Sequence, residues 1–283
     1  MDNKIKQCNV IAEAGCNHMG DMDIALKLID TAKECNAKYV KFQKRNPKEC
    51  VSADIQNKPH PCPHNSYGNT YLEHRLFLEL DTNKHAILKK HCENINIGYS
   101  CSVWDMSSAN EIVSLEPDYI KIPSACNMKF NLLDYLYEKS KTNIHISLGM
   151  TTEKERETIF KYLQDKKHRT VVYWATSEYP VPFDRLFLLE IPKLTNTFEH
   201  VGFSGHHLGI AVDIAAYTLG ATWIERHFTL DRTWKGTDHA ASLEPDGLKK
   251  LNRNLEATRI ALSLKGEGIT EIEEVQKNKL RCD

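Results

Sequence analysis

The sequence lacks the features that mark several large classes of protein. No apolar run approaches the roughly 18 residues of a membrane-spanning helix. Its 37 Lys and Arg residues balance 38 Asp and Glu residues, so no net charge draws the chain to nucleic acid or to an anionic membrane. The nine cysteines are scattered, without a CxxC pair, and the N-terminus lacks the apolar segment of a signal peptide. We therefore expect a soluble cytoplasmic protein with free thiols and no nucleic-acid or membrane partner.

The sequence does contain a regular alternation of short apolar runs with amphipathic stretches. "NVIAEAG" (9–15), "DIALKLIDTAKECN" (23–36) and "KYVKFQ" (38–43) form a strand, helix and strand unit, which predicts parallel pairing. Further strands are predicted at 96–102, 118–124, 143–149, 170–176, 200–205 and 222–228. Further helices are predicted at 82–94, 105–115, 130–140, 152–165, 184–190, 209–219 and 244–262. Because no GxGxxG follows the first strand, these units favour an α/β fold of the (β/α)8 TIM-barrel type over an open Rossmann sheet.

We expect residues 1–283 to form a single barrel domain with a long loop at 44–81 and a short polar C-terminal tail. The composition, 41% hydrophobic and 27% charged, is that of a globular protein with a sizeable core. The long loop contains "NKPHPCPHNSYGNT". Its His60, Cys62 and His64 leave two interpretations open, a metal site and a segment that covers the substrate. The second is favoured, because no partner pair of ligands occurs elsewhere.

Polar side chains end the predicted strands, and in a parallel barrel catalytic groups project from these ends. The residues concerned are Glu13, Lys41, Gln43, Ser102, Lys121, Ser124, Ser147, Thr176, Ser177, Tyr179, Ser204, His206 and His227. Lys41 and Lys121 lie inside apolar runs, where an unpaired ammonium is costly. We therefore expect both lysines to need an anion, such as a ligand that carries phosphate and carboxylate.

Four histidines lie between residues 202 and 240. His206 and His227 end the last two strands, which are neighbours in a barrel, so their imidazoles can converge on a divalent metal. Two histidines hydrogen-bonded within the barrel wall are the alternative. Asp238 and His239 follow on the eighth loop. His207 is predicted to lie at the surface or to pack within its loop.

These residues carry a resemblance to the N-acetylneuraminate (sialic acid) synthase family. The segments concerned are "IAEAGCNHMGDMDIALKLIDTAKECNAKYVKFQ", "ISLGMTT", "TSEYPVP", "GFSGHHLGIAVDIAAYTLGATWIERHFTLDR" and "GTDHAASLEPDGL". Members of that family are (β/α)8 barrels that condense phosphoenolpyruvate with an open-chain sugar aldehyde. The products are a 3-deoxy-2-ulosonic acid and phosphate, and the reaction uses a divalent metal.

The resemblance also implies roles for individual residues. It implies metal ligation by His206 and His227, with Mn²⁺ as the expected ion and Mg²⁺, Co²⁺ and Zn²⁺ as alternatives. It implies catalytic roles for Glu13, Lys41, Lys121 and Asp238. The substrate-binding residues implied are Gln43, Ser102, Ser124, Cys126, Ser147, Ser177, Tyr179 and Ser204.

Three departures from the family pattern bear on the substrate. Cys126 stands where the family has a glutamate that contacts the sugar, and Gly205 stands where the family has an aspartate. The chain also ends before the family's antifreeze-like C-terminal domain, which supplies an arginine to the N-acetyl group of the partner subunit's substrate. We therefore expect the same reaction type, an acceptor other than N-acetylmannosamine, and a homo-oligomer. A Schiff-base aldolase using Lys41 or Lys121 and a non-catalytic sugar-binding barrel remain alternatives.

Overall fold

The computed structural model describes residues 6–281, which form a closed barrel of eight parallel strands in chain order. The strands are β1 (Asn9–Gly15), β2 (Tyr39–Lys44), β3 (Gly98–Val103), β4 (Tyr119–Ile122), β5 (Asn143–Ser147), β6 (Thr170–Ala175), β7 (Val201–Gly205) and β8 (Trp223–His227). β8 pairs with β1 and closes the barrel, with His227 opposite Glu13. The predicted (β/α)8 fold is confirmed, and each predicted strand lies close to its observed bounds.

Helices cover the outside of the barrel. They are α1 (Met22–Glu34), α2 (Pro47–Cys50), α3 (Ala53–Gln56), α4 (Tyr71–Leu78), α5 (Thr82–Asn94), α6 (Met106–Ser114), α7 (Phe130–Lys139), α8 (Glu153–Tyr162), α9 (Glu190–Thr195), α10 (Ala211–Thr218), α11 (Pro245–Ala261) and α12 (Glu271–Leu280). Between residues 6 and 281, no helix is both long and apolar enough to cross a bilayer.

The helix predicted at 184–190 is wrong. A short 3-10 turn, Phe183–Arg185, comes first, and α9 begins only at Glu190. Phe187 between them has φ of 49°, a left-handed backbone that interrupts a right-handed helix. The C-terminal tail, predicted only as polar, contains α12, whose side chains are exposed.

The long segment 44–81 is built from α2, α3 and α4 rather than from irregular chain. The carboxylate of Glu79 accepts a hydrogen bond from the backbone N–H of Arg45 at 3.0 Å, so the two ends of the segment are tied together. The ring of His60 lies against that of His74 at 4.4 Å, while Cys62 and His64 are exposed. Within the described residues, no three His, Cys, Asp or Glu side chains form a cluster that could hold a metal ion.

The interior of the barrel has an aromatic floor with charged side chains above it. Because successive side chains alternate across a strand, β4 turns Tyr119 and Lys121 inward, and β8 turns Trp223, Glu225 and His227 inward. The ring of Tyr119 stacks on that of His145 at 3.7 Å, and the Trp223 ring meets His145 edge-on at 4.7 Å. This floor fills the lower end of the barrel and leaves the polar groups facing the mouth.

Candidate active site

Two buried lysine–carboxylate pairs lie directly above the aromatic floor. Lys41 Nζ is 2.5 Å from Glu13 Oε2, and Lys121 Nζ is 2.5 Å from Glu225 Oε1. Lys41 is also 3.7 Å from Glu225, and it donates a hydrogen bond to Ser102 Oγ at 2.7 Å. The expectation that both lysines need an anion is met within the chain, since each has a carboxylate of its own, and an anion supplied by a ligand stays a prediction.

Glu225 lies at the centre of this network, although the sequence analysis did not identify it. Its Oε1 accepts a hydrogen bond from Ser204 Oγ at 3.1 Å. Burial opposes its charged form, but Lys121 and Lys41 outweigh burial and lower the pKa of Glu225 to about 2. The sequence does contain one indication that Glu225 belongs to the site. It lies two residues before His227, and this spacing places both side chains on the inward face of β8.

The two lysines differ in how firmly they hold a proton. Burial acts against the charged form of both. For Lys41, the charges of Glu13 and Glu225 overcome burial and raise its pKa. For Lys121, burial outweighs the attraction of Glu225, and the charge of Lys41 adds to the effect, so its pKa is lowered. Lys41 is thus the more securely charged of the pair.

His206 and His227 converge above the lysines, with ring centroids 5.5 Å apart. His206 Nδ1 lies 2.9 Å from the carbonyl oxygen of Thr176, and because a carbonyl oxygen only accepts, Nδ1 carries the proton. Burial, and then the neighbouring His227, lowers the pKa of His206 to about 3, so its imidazole is neutral. Its Nε2 therefore keeps a lone pair that can bind a cation.

Asp238 supports the second imidazole. Its carboxylate lies 3.9 Å from His227 Nδ1, and that nitrogen is buried without a hydrogen-bond partner among the described residues. Burial opposes ionisation of Asp238, but His227 and Thr237 outweigh it and lower the pKa. Metal-binding histidines commonly place their second nitrogen against a carboxylate or a carbonyl oxygen, and both histidines here have such a neighbour. These residues fit a divalent metal.

A cavity at the carboxyl ends of the strands brings most of the predicted site residues together. The predicted residues that line it are Glu13, Lys41, Gln43, Ser102, Lys121, Ser124, Ser147, Ser177, Tyr179, Ser204, His206 and His227. Glu225, Trp104 and Met150 also line it, and they were not predicted. Asp238 stands behind His227 rather than in the wall.

The end of β1 brings the side chains of Glu13 and Gln43 close together. Gly15 has φ of 53°, and a Cβ placed there would lie 3.2 Å from Gln43 Nε2 and 3.4 Å from Glu13 Oε1. Gln43 Nε2 in turn donates to Glu13 Oε1 at 2.9 Å. A larger residue at position 15 would be strained and would press on the Gln43 amide that orients the carboxylate.

Two sequence-based placements differ from the structure. Cys126 does not line the cavity: it is buried, and its thiol lies 3.4 Å from the backbone oxygen of Trp104. His207 is not at the surface: it is fully buried, with Nε2 3.2 Å from Arg226 and 3.3 Å from Asp213. Its ring packs within the loop, which was the second of the two placements predicted for it.

The glycine at position 205 follows from that packing. A Cβ at Gly205 would lie 2.8 Å from Phe203 Cε1 and 2.9 Å from His207 Cε1. An aspartate would therefore clash with both rings. Arg226 pairs with the buried carboxylate of Asp213, at 2.5 Å.

Fold and site together define a (β/α)8-barrel protein with a polar cavity, lined by lysine, carboxylate and imidazole groups, at the carboxyl-terminal mouth. The sequence model of the NeuB family matches residues 28–267. The chain belongs to the NeuB family, which confirms the resemblance seen in the sequence.

Individual relatives agree with this assignment. The chain is 34% identical over 257 residues to the N-acetylneuraminate-9-phosphate synthase of Homo sapiens, covering 90% of this chain and 71% of the relative. It is 35% identical over 271 residues to the N,N'-diacetyllegionaminic acid synthase of Campylobacter jejuni, covering 94% of this chain and 79% of the relative. The solved structure of an N-acetylneuraminic acid synthetase from Leptospira borgpetersenii superposes with a TM-score of 0.81 at 27% identity, covering 98% of this chain and 94% of that one.

Proposed function

We propose that this chain condenses phosphoenolpyruvate with the aldehyde of an open-chain sugar, forming a 3-deoxy-2-ulosonic acid and phosphate. The observation that carries the proposal is that two buried lysines and, above them, two converging imidazoles line the same cavity. The names of the relatives support it, since they describe synthases of sialic and legionaminic acids.

Phosphoenolpyruvate binds in the lower part of the cavity. Its phosphate and carboxylate interact with Lys41 and Lys121, and the serine hydroxyls at positions 102, 147 and 204 donate further hydrogen bonds. Because Glu13 and Glu225 already neutralise the lysines, the ligand must compete with these carboxylates. Binding therefore shifts both lysines away from their partners in the chain.

His206 and His227 are the residues that would hold a divalent metal, with Mn²⁺ as the expected ion. When bound, such an ion supplies a Lewis acid toward the aldehyde oxygen of the acceptor. The chain's own part is to orient both imidazoles, through the Thr176 carbonyl oxygen and the Asp238 carboxylate, and to keep His206 neutral by burial.

The bond changes follow from the chemistry of an enol phosphate. C3 of phosphoenolpyruvate attacks the aldehyde carbon, which forms the new C–C bond, opens the C=O bond to an alkoxide and leaves cationic character at C2. Water adds to C2 and gives up a proton, which ends on the alkoxide as the new hydroxyl group. The C2–O bond to phosphate then breaks, the proton of the C2 hydroxyl leaves with the phosphate, and the ketone remains. We assign the transfer of the water proton to Glu13, whose Oε1 is oriented by Gln43 and whose Oε2 faces Lys41.

We propose an acceptor other than N-acetylmannosamine. Position 126, where the family has a sugar-contacting glutamate, offers the cavity no carboxylate, because Cys126 faces the backbone of Trp104. A site built without a hydrogen-bonding partner for a substrate group loses its preference for that group.

The test is phosphate release from phosphoenolpyruvate across a panel of aldoses and sugar acids, with mass spectrometry of the product. The expected product is the adduct of phosphoenolpyruvate and the aldehyde less phosphate. Fastest turnover with N-acetylmannosamine would overturn the choice of acceptor but not the reaction. Borohydride trapping with a keto acid addresses the aldolase alternative: a lysine adduct would refute the condensation mechanism, and no adduct is expected.

A further inference from the structure

One buried arginine, Arg226, is a backbone neighbour of both elements that carry the converging imidazoles. It precedes His227 on β8, and it pairs across the sheet with Gly205, the residue before His206. Because side chains alternate along a strand, its guanidinium points out of the barrel while the His227 imidazole points in. The arginine is nevertheless only 1% exposed, so its charge must be compensated within the protein.

The guanidinium of Arg226 holds the chain that follows β7. Its Nη2 donates a hydrogen bond to the carbonyl oxygen of His207 at 2.5 Å, and its Nη1 donates to that of Gly209 at 2.8 Å. Nη1 also donates to Oδ2 of Asp213, on α10, at 2.5 Å. One side chain from β8 therefore binds both the chain after β7 and the helix that comes next.

The chain that carries His206 has little rigidity of its own. Gly205 precedes this histidine, and Gly209 follows three residues after it. Glycine leaves the backbone more conformations than any other residue. Gly209 has φ of 76°, in the left-handed region. The position of the His206 imidazole must therefore be fixed by contacts with other parts of the barrel.

Those contacts come from two sides. On one side is the chain after β6: His206 Nδ1 donates to the Thr176 carbonyl oxygen at 2.9 Å, and the Val181 N–H donates to the carbonyl oxygen of His206 at 3.0 Å. Arg226 provides contacts on the opposite side, that of β8, through the two carbonyl oxygens that follow His206. The histidine is thus held between its two neighbouring strands.

The charge of Arg226 does not by itself explain this set of contacts. Asp213 is fully buried and neutralises that charge, and a lysine could form the same ion pair. A lysine ammonium acts as a point charge, whereas a planar guanidinium directs several N–H groups to fixed positions. Here those positions are two carbonyl oxygens and one carboxylate. An arginine at position 226 is therefore suited to fixing the backbone after β7.

The cluster around Arg226 is not fully satisfied. Among the residues that the structure describes, Arg226 Nε, Asp213 Oδ1 and His207 Nδ1 are buried without a hydrogen-bond partner. A buried ion pair with unmatched polar atoms gains little net stability over apolar packing. The geometry that the cluster imposes explains its presence better than a gain in stability does.

We propose that Arg226 is a positioning residue that sets the separation of the two imidazoles. By binding the chain after β7, it fixes His206 relative to His227, so that both imidazoles can bind one divalent ion. Groups that bind a metal must be held to within about 0.5 Å of the productive geometry. The inference rests on the proposed metal site and specifies how the chain forms it.

The first experiment measures Mn²⁺ binding to the metal-free protein by isothermal titration calorimetry, without substrates. Arg226→Lys keeps the charge, but its ammonium cannot reproduce the planar fork, so the Kd for Mn²⁺ should rise by about ten- to a hundredfold. Arg169→Lys is the matched control. Arg169 donates to the carbonyl oxygens of Tyr137 and Thr142 at the amino-terminal end of the barrel, and its replacement should leave the Kd unchanged. An unchanged Kd in Arg226→Lys would overturn the proposal.

A second variant separates positioning from stability. Asp213→Asn removes the charge partner, but its amide oxygen can still accept from Nη1, and both carbonyl contacts of Arg226 remain. It should therefore lower the melting temperature of the metal-free protein while raising the Kd for Mn²⁺ less than Arg226→Lys does. If the Kd followed the melting temperature across the two variants, the role of Arg226 would be structural.

A third measurement observes His206 without metal. In protein labelled with ¹⁵N-histidine, the Nδ1–H that donates to Thr176 should be protected from exchange with water in the wild type. Exchange should be about tenfold faster in Arg226→Lys and unchanged in Arg169→Lys. His206→Gln identifies the signal by its loss. A signal that exchanges freely in the metal-free wild type would refute positioning by the chain, whether or not the variant folds.

These measurements also distinguish failure of the inference from failure of the proposed function. If the wild type binds no Mn²⁺, the metal assignment fails, and the exchange measurement still decides whether Arg226 orients His206. If Mn²⁺ binds equally to the wild type and to Arg226→Lys, the positioning role fails and the metal assignment stands.

Discussion

Lys121 and Glu225 form an ion pair of 2.5 Å that joins β4 to β8 across the barrel interior. The same two side chains line the cavity proposed to bind phosphoenolpyruvate. The pair compensates a buried charge in the free protein, and under the proposed function it opposes the incoming anion.

Glu225→Gln should separate these effects. Without ligand, the variant should lose about 3–5 kcal/mol of unfolding free energy, because Lys121 is left without its closest carboxylate. Saturating phosphoenolpyruvate should raise the melting temperature of the variant more than that of the wild type, since the ligand supplies the missing anion. Thermal unfolding with and without ligand measures both. The exposed Glu153→Gln is the control, and equal ligand-induced shifts in Glu225→Gln and the wild type would contradict the idea.

Lys121→Ala should raise the KM for phosphoenolpyruvate and lower kcat, because it removes a charge aimed at an anion. A charge-assisted hydrogen bond contributes about 1.5–3 kcal/mol, or roughly ten- to a hundredfold in kcat/KM. Steady-state kinetics provide the test, with exposed Lys193→Ala as the control. An unchanged KM would remove Lys121 from the binding site.

Chelation should abolish turnover, and Mn²⁺ or a similar divalent ion should restore it. His206→Ala and His227→Ala should each lose bound metal, measured by elemental analysis of the purified protein, and Asp238→Asn should weaken metal affinity by about ten- to a hundredfold. His64→Ala, at an exposed histidine of the long segment, should keep its metal. Full activity in a metal-free preparation would refute the metal assignment.

Stability should fall as the pH drops below 6.5, because of buried neutral histidines. Burial lowers the pKa of His85 to about 3 and that of His18 to about 4. As the pH falls, the unfolded chain therefore takes up protons before the folded chain does. Each of these histidines lowers the free energy of unfolding by about 1.4 kcal/mol per pH unit, down to its pKa in the folded protein. Above pH 6.5 the two histidines no longer change the free energy of unfolding as the pH varies.

Urea unfolding across that pH window gives the measurement. His85→Gln should reduce the slope of unfolding free energy against pH by the equivalent of about one proton taken up on unfolding. His64→Gln, at an exposed position, should leave that slope unchanged. Identical slopes in wild type and His85→Gln would show that His85 becomes protonated in the folded protein near its ordinary pKa.

The sequence predicted the barrel because each strand is a short apolar run followed by a polar residue, and that pattern is local. It did not predict α2, α3 and α4, which are short and depend on contacts outside each helix, such as the hydrogen bond from the Arg45 backbone N–H to Glu79 across 34 residues. Helices of this length are not stable by propensity alone.

The same distinction holds for the site. Lys41, His206 and His227 could be found because they lie at strand ends. Glu225 could not be paired with Lys121 from sequence, since 104 residues separate them and only closure of the barrel brings them together.

The alternation of β8 also constrains how the chain can fold. Glu225 and His227 face the cavity, whereas Arg226 between them faces outward to Asp213 and His207. A slip of one residue against β1 would turn Arg226 toward the two lysines and push a carboxylate and an imidazole into the apolar helix layer. Misregistered closure is therefore strongly disfavoured. A barrel that is not closed at β8 lacks Glu225 and His227 at its mouth, so the candidate site is complete only when β8 pairs with β1.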